Sequence, residues 1–345
     1  MARRKREIEA TLIPGDGIGP EIIEATVAVL QALGAPFKWD RQLAGMAAVE
    51  AGGDPLPEAT LASIRRTGLA LKGPLTTPVG GGFRSVNVRL REAFALYANV
   101  RPMRTIIDGR YADIDIVLIR ENLEGFYVAF EHYIPVGNDP HAVAVSTGVA
   151  TKVGSRRILR YAFEYAQSHG RKKVTVVHKA NVLKALSGVF LDTARDVAKV
   201  YEGRVLMEER IVDACAMQLV LNPHQFDVIV TTNMFGDILS DEIAGLVGGL
   251  GMAPGANIGE DVAIFEAVHG SAPDIAGKGV ANPLAVLLAA ALMLEHVKQL
   301  DLAQRLRAAI HTVVHDDRIS TPDLGGFSST QDFMKAIMNR VALRS

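Results

Sequence analysis

Residues 226–251 read FDVIVTTNMFGDILSDEIAGLVGGLG, and the fold class follows from this stretch. Residues 226–232 are short, apolar and β-branched, the pattern of a strand covered on both faces of a parallel sheet. Asn233-Met234-Phe235-Gly236 reads as a turn, after which Ile238, Leu239, Ile243 and Leu246 recur at helical spacing. Asp237 and Asp241 therefore share one face of a helix that starts at the carboxyl end of a strand. Two readings of the pair stay open on these residues alone. A carboxylate in a first turn complements the helix dipole, so Asp237 could be a solvated helix start. Two carboxylates at i,i+4 also repel by about 0.2–0.5 kcal/mol unless something positive sits between them. Paired hard oxygen donors above a parallel sheet suit Mg²⁺ or Mn²⁺.

The same alternation recurs along the chain. Strand signals at residues 8–13, 69–75, 114–119, 173–177 and 262–266 are interleaved with helix signals, which makes the class α/β. After the first strand come Pro14-Gly15-Asp16-Gly17-Ile18-Gly19, then Pro20 at a helix N1 position and a helix to about residue 32. Gly15, Gly17 and Gly19 give G-x-G-x-G, which lacks the third glycine of the dinucleotide fingerprint. A tight turn whose glycines let backbone approach a ligand is the better reading.

Bulk properties set bounds. The 345 residues exceed the roughly 250–300 at which one core stops growing, so two domains are expected. A net charge of −1 supplies no field for nucleic acid or a membrane surface. Cys215 is the single cysteine, which excludes an intrachain disulfide and fits a reducing compartment. No secretory-type apolar segment precedes the first glycine turn, and the longest apolar run, residues 283–294, is too short to span a bilayer. A cytoplasmic protein is expected.

Candidate binding groups collect at element ends. Residues 76–87 (TTPVGGGFRSVN) set three consecutive glycines between hydroxyls, a loop suited to closing on a polar ligand. Arg91 follows on a helix, Arg101 lies in a strand and Arg120 at a strand end. Any one of them reads as a surface charge, but three at element ends suit a polycarboxylate or phosphate, because guanidinium forks bind planar oxyanions bidentately. Residues 128–149 read as a hairpin-like excursion around Gly137-Asn138-Asp139-Pro140, which needs something to pair with, a second subunit being one candidate. Lys179, after the strand 173–177, is a proton-transfer candidate if desolvated and a solvated terminal lysine otherwise. Asp213 is an isolated carboxylate at the edge of an apolar helix. The loop 269–278 is rich in small residues and is expected to expose His269 and Asp274, which suits recognition of a ribose or adenine.

With these residues collected, the chain resembles the β-decarboxylating dehydrogenases, the family of isocitrate, 3-isopropylmalate, homoisocitrate and tartrate dehydrogenases. The likeness runs from Gly15-Asp16-Gly17-Ile18-Gly19-Pro20 to Leu324-Gly325-Gly326. NMFGDILSDEIAGLVGGLG (233–251), RENLEGFY (120–127), VHKANVLK (177–184) and HGSAPDIAGK (269–278) carry it. Residues 73–101 resemble the isocitrate branch, in which the serine and asparagine of an S-x-N segment contact the γ-carboxyl end of isocitrate.

The resemblance implies an isocitrate/isopropylmalate dehydrogenase-like α/β fold that is not a standard Rossmann domain. Residues 1–96 and 248–345 would form a large cofactor-binding domain. Residues 97–247 would form a small domain for dimerisation, metal and substrate, with a clasp arm at 125–151. Substrate contacts would come from Thr77, Ser85, Asn87, Arg91, Arg101, Arg120 and Asn181. Asp237 and Asp241 would ligate the metal together with Asp213 of the partner subunit. Tyr127 and Lys179 of the partner subunit would be the catalytic proton-transfer pair. Ile18, His269, Gly270, Ser271, Ala272, Asp274, Ile275 and Asn282 would hold the cofactor.

An acidic side chain at a ribose accepts from the 2′-hydroxyl and repels a 2′-phosphate. NADP-using relatives place lysine and tyrosine where Asp274 and Ile275 stand, and some place tyrosine and arginine where Pro322 and Gly326 stand, so NAD is expected. The implied activity is the NAD- and Mg²⁺- or Mn²⁺-dependent oxidative decarboxylation of isocitrate to 2-oxoglutarate and CO₂, a tricarboxylic acid cycle step, by a homodimer with shared active sites. The alternatives are a homoisocitrate or broad 2-hydroxyacid (3-isopropylmalate or tartrate) decarboxylating dehydrogenase, or a non-catalytic regulatory subunit of a hetero-oligomeric isocitrate dehydrogenase. Such subunits lose part of the tyrosine, lysine and aspartate set that this chain keeps.

Overall fold

Strands form where the sequence carries short apolar or β-branched runs. In chain order they are β1 (Ile8–Ile13), β2 (Phe37–Arg41), β3 (Leu69–Lys72), β4 (Ala98–Arg104), β5 (Asp115–Glu121), β6 (Gly125–Val136), β7 (Asp139–Val149), β8 (Lys173–His178), β9 (Leu206–Ile211), β10 (Val228–Thr231), β11 (Pro254–Ile258) and β12 (Ala263–Ala267). The computed structural model describes residues 7–77, 83–107 and 109–342. Most of the glycine-rich loop expected to close on a ligand, Pro78 to Gly82, lies outside the described residues. Among the described residues no helix is long and apolar enough to cross a membrane. The chain divides into two units, one of Met1–Leu96, Arg104–Ala112 and Ala244–Ser345, the other of Tyr97–Met103 and Asp113–Ile243.

In the first unit the strands run in the order β2-β1-β3-β12-β11. β2, β1, β3 and β12 are parallel, and β11 returns antiparallel to β12. The helix Leu284–His296 is buried on nearly every face, as its apolar and alanine-rich sequence requires. Ile13 lies beside Lys72, and Lys72 beside Glu266, so β1, β3 and β12 end at one level and release three loops together.

The glycines of the first loop serve that convergence. A Cβ on Gly17, whose φ is +58°, would lie 2.0 Å from the Ser271 carbonyl oxygen, and one on Gly73 would lie 2.0 Å from that of Pro14. These glycines let the backbones of the neighbouring loops approach one another. Beneath the loops Lys72 Nζ meets Glu266 Oε2 at 2.7 Å, both side chains being less than a tenth exposed. Asn257 Nδ2 donates to Glu266 Oε1 at 2.6 Å.

In the second unit the order is β4-β5-β10-β8-β9, and β5, β10, β8 and β9 are all parallel. Val117, Leu118, Ile119, Val174, Val176 and Val228 to Val230 are inaccessible, which accounts for the unbroken apolar runs in those strands. The helix Lys152–Ser168 covers the sheet with Ile158, Leu159, Ala162 and Phe163, and Thr151 caps it by accepting from Gly154 N at 2.9 Å. Asp227, just ahead of β10, accepts from Lys172 N (2.6 Å), Lys173 N (3.1 Å) and Arg171 Nη1 (3.0 Å), which ties β8 to β10 at their amino ends. β6 and β7 pair as a two-stranded hairpin, turned at Gly137 with φ +60°, and side chains on both of its faces are largely exposed. A two-stranded ribbon of this kind is marginal by itself in water.

Two expected boundaries shift. The strand expected at 69–75 stops at Lys72, ahead of Gly73 and Pro74. Residues 233–236 are not a turn, since they are the first turn of a helix spanning Asn233–Val247. Asp237 thus sits in the second turn, which removes the reading of it as a dipole-complementing helix start. Gly236 carries a turn signal, but its role here is steric: a Cβ there would lie 2.6 Å from Arg120 Cγ.

Burial opposes ionisation of Glu266, but the charges of Lys72 and Arg91 overcome it and lower its carboxyl from 4.5 to about 2. A depressed folded-state pKa stabilises the fold above the unfolded value, and that stabilisation is lost as pH falls through the folded value. Glu266→Gln is expected to cost about 3–5 kcal/mol at neutral pH, because it leaves Lys72 buried without its counter-charge. The gap between variant and wild type in urea unfolding should narrow as pH falls from about 4.5 towards about 2. An equal midpoint at neutral pH would contradict this account of the pair.

Candidate active site

The parallel register of the second unit decides which side chains share a rim. Thr231 pairs with Arg120 on one side and Val177 on the other, and His178 pairs with Ile211. Arg120, Asn233, Lys179 and Asp213 therefore all emerge at or just beyond strand carboxyl ends, where open α/β sheets bind ligands.

Arg120 is only 1% exposed, so its charge has to be met by protein groups. Its Nε and Nη2 donate to Asn233 Oδ1 at 3.0 and 2.7 Å, and its Nη1 donates to Asp237 Oδ1. The guanidinium also lies 5.4 Å from the centre of the Tyr127 ring, and the Tyr127 hydroxyl donates to Asp237 Oδ2 at 2.8 Å. Arg101, likewise buried, donates from Nε to Asn99 Oδ1 (2.7 Å) and from Nη1 to Ser240 Oγ (2.6 Å). It reaches Asp237 Oδ1 and Asp241 Oδ1 at 3.7 Å each. Burial pushes the Asp241 carboxyl above its usual range; Arg101 opposes this and Asp237 adds to it. Two half-exposed carboxylates on one helix face, one destabilised in its charged form by its neighbour, are a donor set that fits a hard dication.

Lys179 donates from Nζ to Asp213 Oδ1, and this hydrogen bond holds the Asp213 carboxyl below its usual range. Asp213 opens the helix Val212–Leu221. Among the described residues, no group of three ligand-type side chains close enough for one ion contains Asp213, Asp237 or Asp241. Asn181 is exposed in the loop after β8.

The first unit gathers other expected residues. Ile18 N donates to Ser271 O (2.9 Å), Thr76 Oγ1 and Ser271 Oγ are 2.7 Å apart, and Asp16 Oδ2 accepts from Thr76 N at 2.8 Å. Gly270 and Asp274 are exposed, Ile275 is partly buried, and Ala272 adopts φ +38°. His269 departs from the expectation of an exposed ring. Its Nδ1 lies 2.9 Å from the Gly270 carbonyl oxygen, its Nε2 is buried without a hydrogen-bond partner, and burial lowers its pKa. With Nδ1–H donating, Nε2 is a buried acceptor, which fits a ribose hydroxyl or an adenine amino group. Asn282 donates to Asp323 Oδ2 (2.9 Å) and accepts from Leu284 N (2.9 Å). Ser85 precedes the helix Val86–Ala93, which carries Asn87 and Arg91. Asn87 Oδ1 is buried without a partner, and Arg91 Nη2 lies 4.0 Å from Glu266 Oε1. Thr77 is exposed.

Sequence reading missed Asn233, Ser240 and Asn99, the groups that orient the two buried arginines. Asn233 looked like a turn former, and nothing local marks a serine in a helix or an asparagine in a strand as an arginine partner.

The profile of the isocitrate/isopropylmalate dehydrogenase family matches residues 9–337. The chain is 46% identical over 337 residues to isocitrate dehydrogenase (NAD) catalytic subunit 5, mitochondrial, of Arabidopsis thaliana, covering 97% of this chain and 88% of that protein. It is also 46% identical over 328 residues to the 3-isopropylmalate dehydrogenase of Archaeoglobus fulgidus, covering 94% and 97%. The crystal structure of isocitrate dehydrogenase from Methylococcus capsulatus matches with a TM-score of 0.93 at 55% identity, covering 97% of this chain and 99% of that one. The residues, the fold and these likenesses agree: the chain belongs to the isocitrate/isopropylmalate dehydrogenase family.

Proposed function

We propose that this protein catalyses the NAD- and divalent-metal-dependent oxidative decarboxylation of isocitrate to 2-oxoglutarate and CO₂. The observation that carries the reading is the buried pair Arg101 and Arg120 set against Asp237 and Asp241 at one sheet rim. Isocitrate brings three carboxylates, which need fixed cations, and a secondary alcohol, which needs a base. The named NAD isocitrate dehydrogenase relatives support the substrate and the cofactor.

When bound, NAD⁺ accepts the hydride and the dication, held by Asp237 and Asp241 with Asp213 of the partner subunit, polarises the substrate oxygens. The chain's own groups do the rest. Arg101 and Arg120 hold substrate carboxylates in orientations fixed by Asn99, Ser240 and Asn233. Lys179 of the partner subunit, in its neutral form, takes the proton of the substrate hydroxyl as hydride leaves its carbon. After CO₂ is lost, the Tyr127 hydroxyl, placed between Arg120 and Asp237, gives a proton to the carbon that carried the lost carboxylate. Ser85, Asn87 and Arg91 offer hydroxyl, amide N–H and guanidinium donors for the substrate's distal carboxylate. Ile18, His269 to Ile275 and Asn282 belong to the cofactor, with Asp274 accepting from the ribose. The exposed β6–β7 hairpin supports a homodimer in which this arm is covered.

A second reading rests on one observation, the equal identity to a 3-isopropylmalate dehydrogenase. Steady-state rates with Mg²⁺ separate the two. Isocitrate is expected to exceed 3-isopropylmalate in kcat/KM by at least about 100-fold, because a site built of polar donors rejects a substrate that leaves them unpaired. Homoisocitrate, one methylene longer, should fall between, roughly 10–200-fold down. A preference for 3-isopropylmalate would overturn the substrate assignment. For the cofactor, the double variant Asp274→Lys, Ile275→Tyr should raise the NADP⁺-to-NAD⁺ ratio of kcat/KM by about tenfold or more, equivalent to 1.4 kcal/mol. An unchanged ratio argues against Asp274 as the discriminating group.

A further inference from the structure

The helix Leu300–His311 does not end as an α-helix but widens into a π turn, Thr312–Asp316, closed by Asp317 N donating to Thr312 O at 2.9 Å. Single π turns are rare and recur at functional sites. Here the wider turn sets His315 above His311, with ring centroids 4.9 Å apart and planes 21° from parallel. His315 Nδ1 lies 3.0 Å from Asp316 Oδ1. The three residues offer ligand atoms that all lie within 4.8 Å of one another. His311 and Asp316 are exposed and His315 is half-buried, so an ion could reach them from solvent.

We infer that His311, His315 and Asp316 form a surface site for a borderline transition-metal dication of the Zn²⁺, Cu²⁺ or Ni²⁺ class. The donor set argues for that class. Two imidazoles and one carboxylate suit Zn²⁺, Cu²⁺ and Ni²⁺, whereas the all-oxygen pair Asp237 and Asp241 suits Mg²⁺ or Mn²⁺. The local charge agrees. The hydrogen bond from His315 holds the Asp316 carboxyl below its usual range, keeping it anionic, while the next carboxylate, Asp317, is engaged by Arg340 at 2.5 and 3.0 Å. His315 Nδ1 and Asp316 Oδ1, 3.0 Å apart, have the separation of two ligands on one ion, which would take the place of the proton between them. Binding would bridge the last α-helical turn to the π turn and hold the widened geometry.

The test uses the full chain in excess Mg²⁺, which occupies oxygen-donor sites. Equilibrium dialysis against Zn²⁺ at pH about 7.5 is expected to show one more Zn²⁺ per wild-type chain than per His311→Ala, His315→Ala chain. Cu²⁺ spectra recorded by electron paramagnetic resonance should show, in the wild type minus variant difference, nitrogen hyperfine splitting that carboxylates cannot give. His315→Gln, which keeps side-chain length and a hydrogen-bonding group, should lose the same Zn²⁺, so the loss does not depend on deleting bulk. Equal Zn²⁺ stoichiometry in wild type and variants, or a null Cu²⁺ difference spectrum, overturns the site.

Discussion

Two buried guanidinium groups beside two carboxylates are the constraint on which the rest of the second unit depends. Removing an arginine from water without partners costs several kcal/mol. Arg120 and Arg101 therefore dictate what surrounds them: Asn233, Asn99 and Ser240 as neutral acceptors, Asp237 and Asp241 as counter-charges, and Gly236 as the gap through which the Arg120 stem passes. The acceptors take up donors without neutralising the positive charge. Each arginine is thereby held in one orientation, which is what a site for planar carboxylates requires.

The topology delivers these groups because four adjacent strands are parallel and end at nearly one level. Apolar strand interiors carry no chemistry, so polar residues collect at the rim by exclusion. The first unit repeats the logic with β1, β3 and β12, whose loops meet by backbone contacts at Gly17 and Gly73, with the buried His269 Nε2 in the loop after β12 and the Lys72–Glu266 pair at the strand ends. Both units put buried charge under the polar rim, and in both the charge is paired.

Much of this was legible in the sequence. Period and β-branching gave the α/β class, and Asp237 and Asp241 fell on one helix face as i,i+4 spacing demands. Local cues failed where a residue's role is set by a distant neighbour. Gly236 and Asn233 carry turn signals, yet both are helical because they serve Arg120, more than 100 positions away. Arg101 and Ser240, Lys72 and Glu266, and Ile18 and Ser271 meet across similar gaps, and periodicity says nothing about which element adjoins which. The sequence likewise does not reveal that two further loops converge on the glycines of the first.

In one chain Lys179 pairs with Asp213, whereas Tyr127 pairs with Asp237, and no three of the aspartates in question gather around one ion. The proposed reaction needs both groups in one place, and the family resemblance assigns Lys179 and Asp213 to the site of a second subunit. Mixing two inactive variants measures this directly. Lys179→Met and Asp241→Asn should each abolish isocitrate turnover as pure dimers. Unfolded together and refolded, they should recover about a quarter of wild-type activity, because half the dimers are mixed and one of their two sites is intact. A mixture as inactive as its components would contradict the shared site.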